Sequence, residues 1–192
     1  MNQYDVVIHM NEPRYWVLLL GSFVCGWALI RRFKRLRDTA KNRALTQMGW
    51  TLILLQVAYQ GFMVVNPDFQ WSVHRSLPLH FCGINIWLMA VNCFFRNRAL
   101  YLFTSFLGTI GGFHAILTPQ LTVGDDLPLL LHYYVNHAAL IVVPIIMAQS
   151  FHFRFQKWGW MYAYLIAAGI SAVMAGFNLV LNSCFPGEVL AN

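Results

Sequence analysis

Charge is what this chain of 192 residues has least of. Asp, Glu, Lys and Arg make up 10% of it, against about 25% in an ordinary soluble domain. Only seven residues are acidic, and none of them falls inside a long apolar run. A soluble globular domain is thereby excluded, and so is a carrier that couples transport to an acid buried in the membrane. The four cysteines are scattered with no CxxC spacing, which excludes a disulfide framework or a zinc ribbon. No HxxxH pair lies on one helix face, so neither a metal nor any other cofactor is expected. Met1 to Glu12 lack the basic flank and small-residue cleavage site of a signal peptide, so the first apolar segment is expected to stay in the chain. No polar linker, low-complexity tract or short repeat divides residues 1–192, which read as a single integral membrane domain.

What the chain has instead is apolar length, with 58% hydrophobic and 16% aromatic residues. A helix needs about 20 predominantly apolar residues to cross the hydrocarbon. Six segments qualify, at about 15–30, 45–65, 77–95, 100–118, 127–149 and 158–182. Asn66-Pro67-Asp68, Arg96-Asn97-Arg98 and Pro119 punctuate them. The expected fold is all-α, an up-and-down bundle of six membrane helices with sequential helices as antiparallel neighbours.

The net charge of +6 is no signature of nucleic acid, because seven of the thirteen basic residues lie between Arg31 and Arg43 in the break between two apolar runs. Such a cluster orients a membrane protein and meets anionic headgroups. With that loop in the cytoplasm, Arg96, Arg98, Arg154 and Lys157 fall on the same side and only Arg14 and Arg75 on the other. The positive-inside rule then places both termini outside the cell membrane. Gly108-x-x-x-Gly112 and Ala168-x-x-x-Ala172-x-x-x-Gly176 form small-residue faces. These suit close packing within the bundle, with a homodimer seam as the other use. Tyr15, Trp16, Trp50, Trp71, Trp158 and Trp160 sit near segment ends and read as interfacial belts.

Polar side chains inside the spans gather toward the outer end. Pro78 opens the third segment, and His80, Cys82 and Asn85 follow. His114 closes the fourth, and His132, Asn136 and His137 lie in the outer half of the fifth. At about 100° per residue, Cys82 and Asn85 share a face while His80 points away from it. The same angles set one of His132 and His137 central and the other peripheral, and depth favours His137 as the functional one. Cys25 and Cys93 read as small apolar fillers. Gln56, Gln60 and Asn178 read as interhelical hydrogen-bonding residues.

A cysteine and an imidazole in a membrane helix bundle suit covalent acyl chemistry. The thiolate attacks an ester carbonyl, and the imidazole takes up and returns the proton. Cys82 is the candidate nucleophile and His137 the candidate base. Asn85 or Asn136 would orient the ring or supply oxyanion hydrogen bonds, and His80, His114 and His132 are further candidates for support or substrate binding. The expected partners are membrane phospholipids, with water as acceptor in a lipase or a lysolipid in a transacylase. The competing readings are a small-solute permease and a non-catalytic membrane protein with a structural His/Cys cluster.

Three stretches in order, Leu77-Pro78-Leu79-His80-Phe81-Cys82, Gly111-Gly112-Phe113-His114-Ala115-Ile116-Leu117-Thr118-Pro119 and His132-Tyr133-Tyr134-Val135-Asn136-His137, carry a resemblance. They are similar to the YwaF-like bacterial integral membrane family and its eukaryotic relatives, the transmembrane protein 164 group. The resemblance spans about Leu77 to Val143. It implies a polytopic helical fold and a phospholipid acyltransferase using a Cys/His pair, which falls on Cys82 and His137. It also implies an Asn-Tyr-rich element, a proline and a short final span after the sixth segment. The sequence from Asn182 to Asn192 does not match that element.

Overall fold

The computed structural model describes residues 6–66, 71, 77, 80–121, 124–155 and 157–185. Among them, β1 (Val6–Val7) leads into α1 (Pro13–Arg35) and α2 (Asp38–Val65). Then come α3 (Phe81–Phe95), α4 (Arg98–Leu117), β2 (Gln120–Leu121), α5 (Leu127–Ser150) and α6 (Gly159–Cys184). All helices but α3 are long and apolar enough to cross a membrane. Large apolar side chains stand exposed along them, Val17, Trp27, Leu54, Leu165 and Leu179 among them. The chain is an all-helical, multi-pass membrane protein.

The boundaries differ from the sequence expectation in two places. The basic stretch Arg31–Arg43 is mostly helix, because α1 runs to Arg35 and α2 starts at Asp38, leaving Leu36 and Arg37 as the link. Charged side chains end an apolar run without ending a helix, and Arg32, Lys34 and Arg35 complement the negative end of α1. The third segment, expected over 77–95, is helical only from Phe81. Its 15 residues reach about 22 Å, short of the roughly 30 Å hydrocarbon thickness. Pro78, expected to open that helix, lies outside the described residues.

The α3–α4 turn is built by two asparagines. Asn92, fully buried, accepts from the Asn97 backbone N–H at 2.6 Å while Arg96 adopts φ +52°. Asn97 then caps α4, its side chain accepting from the N–H groups of Ala99 and Leu100.

Glycines decide which helices touch, and the result departs from sequential pairing. Helix α5 is central and packs on α4, α1, α3 and α2, whereas α1 lies chiefly on α5 and α6 on α4. A Cβ on Gly26 of α1 would sit 2.7 Å from Val142 of α5, and one on Gly49 of α2 would sit 2.9 Å from Cys93 of α3. At Gly112 of α4 it would lie 2.7 Å from the backbone oxygen of His137 in α5. Lipid offers no hydrophobic force between helices, so such close van der Waals approach is what holds them. The Gly108–Gly112 face is thus used inside the chain. The Ala168–Gly176 face is exposed, and nothing lies within 4 Å of a Cβ placed on Gly176. Cys93 fills the core as expected, but Cys25 is exposed.

At the end where α1 and α5 begin, the N-terminal segment is tied down. Val6 pairs with Leu121 and Val7 with Gln120, and the Ile8 N–H donates to the Pro119 carbonyl at 3.2 Å. Tyr15 was expected in an interfacial belt. It is instead buried at 2% exposure, with its hydroxyl donating to the Leu117 carbonyl at 3.0 Å. Arg14 bridges Glu12 and Asp125. The His9 backbone N–H and then the Arg14 guanidinium hold the Glu12 carboxyl below its ordinary range.

Two outcomes are expected. Gly112→Ala must displace α5 and should lower stability in detergent by about 1–3 kcal/mol, the usual cost of overpacking. Gly169→Ala, which meets nothing within 4 Å, should not, as followed by thermal unfolding. Because the folded Glu12 pKa is depressed, its contribution is present above the ordinary carboxylate range and is lost as pH falls through it. Protection of Val6–Ile8 against hydrogen exchange, relative to the intrinsic rate at each pH, should therefore fall below about pH 4, where an ordinary Glu takes up its proton, and Glu12→Gln should remove that pH dependence.

Candidate functional site

A cavity of about 700 Å³ opens among α2, α3, α4 and α5, where α3 and α5 begin and α4 ends. Its size is that of a small-molecule pocket. His80, Cys82, His114, His132, Asn136 and His137 all line it. Gln120 and Leu121 of β2 also line it, so the strand held by β1 forms part of its wall.

Helix angles had set His80 away from Cys82, and the structure departs from this. His80 is the N-cap of α3 in extended conformation (φ −127°, ψ 158°), so helical periodicity does not govern its direction. Its Nδ1 accepts the Gly83 backbone N–H at 3.1 Å. A backbone N–H can only donate, so Nδ1 is unprotonated and the neutral ring carries its hydrogen on Nε2.

Cys82 is half-buried one residue into α3. Its Sγ would be 3.5 Å from a Cβ on Gly111, so the missing side chain of α4 leaves room for the thiol. Asn85, expected on the same working face, does not line the cavity. It is 1% exposed, its amide donates to the Phe81 carbonyl at 3.1 Å, and its Oδ1 is buried without a hydrogen-bond partner among the described residues. One turn further along α3, it points into the seam with α4, where its Oδ1 is 3.7 Å from a Cβ on Gly108.

His132 and His137 both face the cavity, one on each flank of α5, because the pocket takes in an arc of about 140° of that helix. His137 Nδ1 lies 2.7 Å from the Tyr133 carbonyl, one turn back on α5. A carbonyl can only accept, so Nδ1 carries the hydrogen and Nε2 holds the lone pair. Tyr133 also packs its ring on the imidazole, centroids 4.2 Å apart, and donates its hydroxyl to the Ala115 carbonyl of α4 at 3.0 Å. His132 stacks on Tyr59 of α2, rings 3.8 Å apart and 3° from parallel. Asn136 bridges this wall. Its Oδ1 accepts from Gln56 Nε2 at 2.8 Å, and its Nδ2 lies 2.8 Å from His132 Nε2. Asn136 thus orients His132 and not His137, and Gln56 makes the interhelical bond expected of it. His114 is exposed at the rim, its Nδ1 3.3 Å from Thr118 Oγ1. Among the described residues no three His, Cys, Asp or Glu side chains form a metal-binding group.

Residues of all three stretches that carried the resemblance therefore meet around one cavity, Leu77, His80 and Cys82 from the first, Gly111, His114 and Thr118 from the second and His132, Asn136 and His137 from the third. The chain matches the TMEM164 family over residues 9–185. It belongs to that family. No curated protein and no solved structure matches it. In this TMEM164-family chain the match begins before α1 and ends after α6, so it covers the cavity but not β1.

Sequence reasoning missed Tyr59 and Tyr133. Tyr59 is an aromatic in an apolar run, and only packing shows that it faces His132. The service of Tyr133 to His137 is through its backbone, which the sequence spells only as an i, i+4 spacing.

Gly111→Leu should cover the thiol. Gly111 and Gly61 are compared in a background where Cys82 is the sole cysteine. Maleimide labelling of Cys82 should slow roughly tenfold in Gly111→Leu, a barrier increase of about 1.4 kcal/mol, and stay unchanged in Gly61→Leu.

Proposed function

We propose that this chain is a membrane-embedded, cysteine-dependent acyltransferase or lipid hydrolase acting on phospholipid acyl esters, with Cys82 as nucleophile and His137 as base. The observation that carries the reading is the state of His137. Its Nδ1–H is held by the Tyr133 carbonyl, which leaves the Nε2 lone pair for a proton in the cavity that Cys82 lines. Nucleophilic catalysis needs that set, a thiol, a base and a group that orients the base. Membership of the TMEM164 family agrees with it, since the resemblance of Leu77–Cys82 and His132–His137 pointed to the same pair.

In the first half-reaction the Cys82 S–H gives its proton to His137 Nε2 as sulfur bonds to the ester carbonyl carbon. The carbonyl pair moves onto oxygen. Collapse expels the lysolipid oxygen, which takes the proton from His137, and the acyl group is left as a thioester on Cys82. In the second, water or a lysolipid hydroxyl gives its proton to His137 and forms the new C–O bond. The C–S bond breaks, and the departing sulfur recovers the proton. Water gives a hydrolase and a lysolipid hydroxyl a transacylase.

The Tyr59–His132–Asn136–Gln56 wall is a polar surface for the glycerol and headgroup side of such a lipid. With Arg31–Arg43 in the cytoplasm, the cavity opens on the extracytoplasmic leaflet, where bilayer lipid is the most concentrated ester.

Purified protein in nanodiscs, given a phospholipid with a mass-tagged acyl chain, should carry that chain on Cys82 in peptide mass spectra. Cys82→Ser should lose the thioester adduct. His137→Gln should slow its formation by about 10²–10⁴-fold, the usual worth of a positioned general base. Lipid turnover that is unchanged in Cys82→Ser would remove this reading.

A further inference from the structure

We infer that His80 is the hydrogen-bond donor to the oxyanion in the acyl transfer proposed above, its Nε2–H meeting the carbonyl oxygen as the ester becomes tetrahedral. This rests on the reading of Cys82 as nucleophile and adds to it the group that reading lacks. A tetrahedral intermediate at Cys82 places a full negative charge on oxygen, and preorganised donors for that charge are commonly the largest contribution to acyl-transfer catalysis.

The two asparagines expected to supply oxyanion hydrogen bonds are engaged elsewhere. Asn85 is buried away from the cavity with its amide on the Phe81 carbonyl. Asn136 is held between Gln56 and His132. The Gly83 backbone N–H, in the first turn of α3 beside the thiol, is spent on His80 Nδ1.

That same bond makes His80 a donor. With Nδ1 accepting, the neutral ring carries its only hydrogen on Nε2, on a ring that lines the cavity two residues from Cys82. His137 has the opposite arrangement, with Nδ1–H given to a carbonyl and the lone pair on Nε2. Two backbone hydrogen bonds of opposite sense thus set opposite tautomers on two imidazoles in one pocket. The ring at α5 can receive a proton and the ring at α3 can donate a hydrogen bond. Exchange of these roles would require His80 to surrender its cap.

The test compares two reactions of the same thiol. Acylation of Cys82 by p-nitrophenyl butyrate passes through an oxyanion. Alkylation by iodoacetamide displaces iodide at carbon and does not. Both rates are measured on the full chain in nanodiscs, with Cys25, Cys93 and Cys184 replaced by Ser or Ala. His80→Ser and His80→Thr keep a side-chain acceptor for the Gly83 N–H but have no donor of imidazole reach, and two variants guard against one that folds poorly. Acylation should fall by about 10²–10³-fold, as for loss of one oxyanion donor, with alkylation unchanged. In His137→Gln both rates should fall. Equal loss of both rates in the folded His80 variants would make His80 an activator or positioner of the thiol and overturn its role as donor. Acylation that is unchanged would overturn it as well. If the parent protein alkylates at Cys82 but never acylates there, the nucleophile reading fails first.

Discussion

The approach of α4 to α5 at Gly112 is the constraint on which the rest of the structure depends. No side chain stands between the two helices there, so the His137 carbonyl oxygen lies 2.7 Å from where a Cβ of α4 would be. Apolar side chains gain little by leaving lipid for protein, and helix contact in a bilayer rests on van der Waals fit and hydrogen bonds. A glycine that lets two backbones meet is therefore worth more here than a large core residue. It seats α5 centrally, and α1, α2 and α3 arrange themselves on the remaining faces of that helix. The neighbouring Gly111 leaves room for the Cys82 sulfur. One pair of adjacent glycines thus registers the helix that bears His137 and clears the space for the Cys82 thiol.

The cavity is organised more by backbone than by side chains. Its two best-defined imidazoles are each fixed by a main-chain group, Gly83 N–H for His80 and Tyr133 C=O for His137. Backbone groups cannot change protonation state, so each bond dictates which ring nitrogen carries hydrogen. A polar cavity in a membrane protein gains from this, because charged orienting groups are expensive there. Two carboxylates, Glu12 and Asp125, hold Arg14 at the end of the bundle and fasten the segment that carries β1. The β1–β2 pair extends that fastening to the wall of the pocket.

Much of this was legible in the residues themselves. Helix number, a membrane setting and the clustering of His80, Cys82, His114, His132, Asn136 and His137 all follow from hydropathy and spacing. Those signals are local, and bilayer thickness makes them unusually strict. His80 was misread through the assumption of an unbroken helix. His80 and Cys82 were set on opposite faces by a 100° rule that does not apply to an N-cap. Asn85 was kept with Cys82 by the same rule, yet one turn of helix is enough to carry it from the pocket into the α3–α4 seam.

By itself, then, the sequence determined that the chain crosses a membrane as a set of helices and which few polar residues it carries inside them. Both follow from the free energy of placing each side chain in hydrocarbon, which depends on composition along the chain. Only the tertiary structure decided which helices touch, that Asn136 is held by Gln56, and that the Cys82 thiol faces Gly111. Those depend on contacts between residues far apart in sequence, such as Gly112 with His137, Gly111 with Cys82 and Gln56 with Asn136. No local periodicity encodes them.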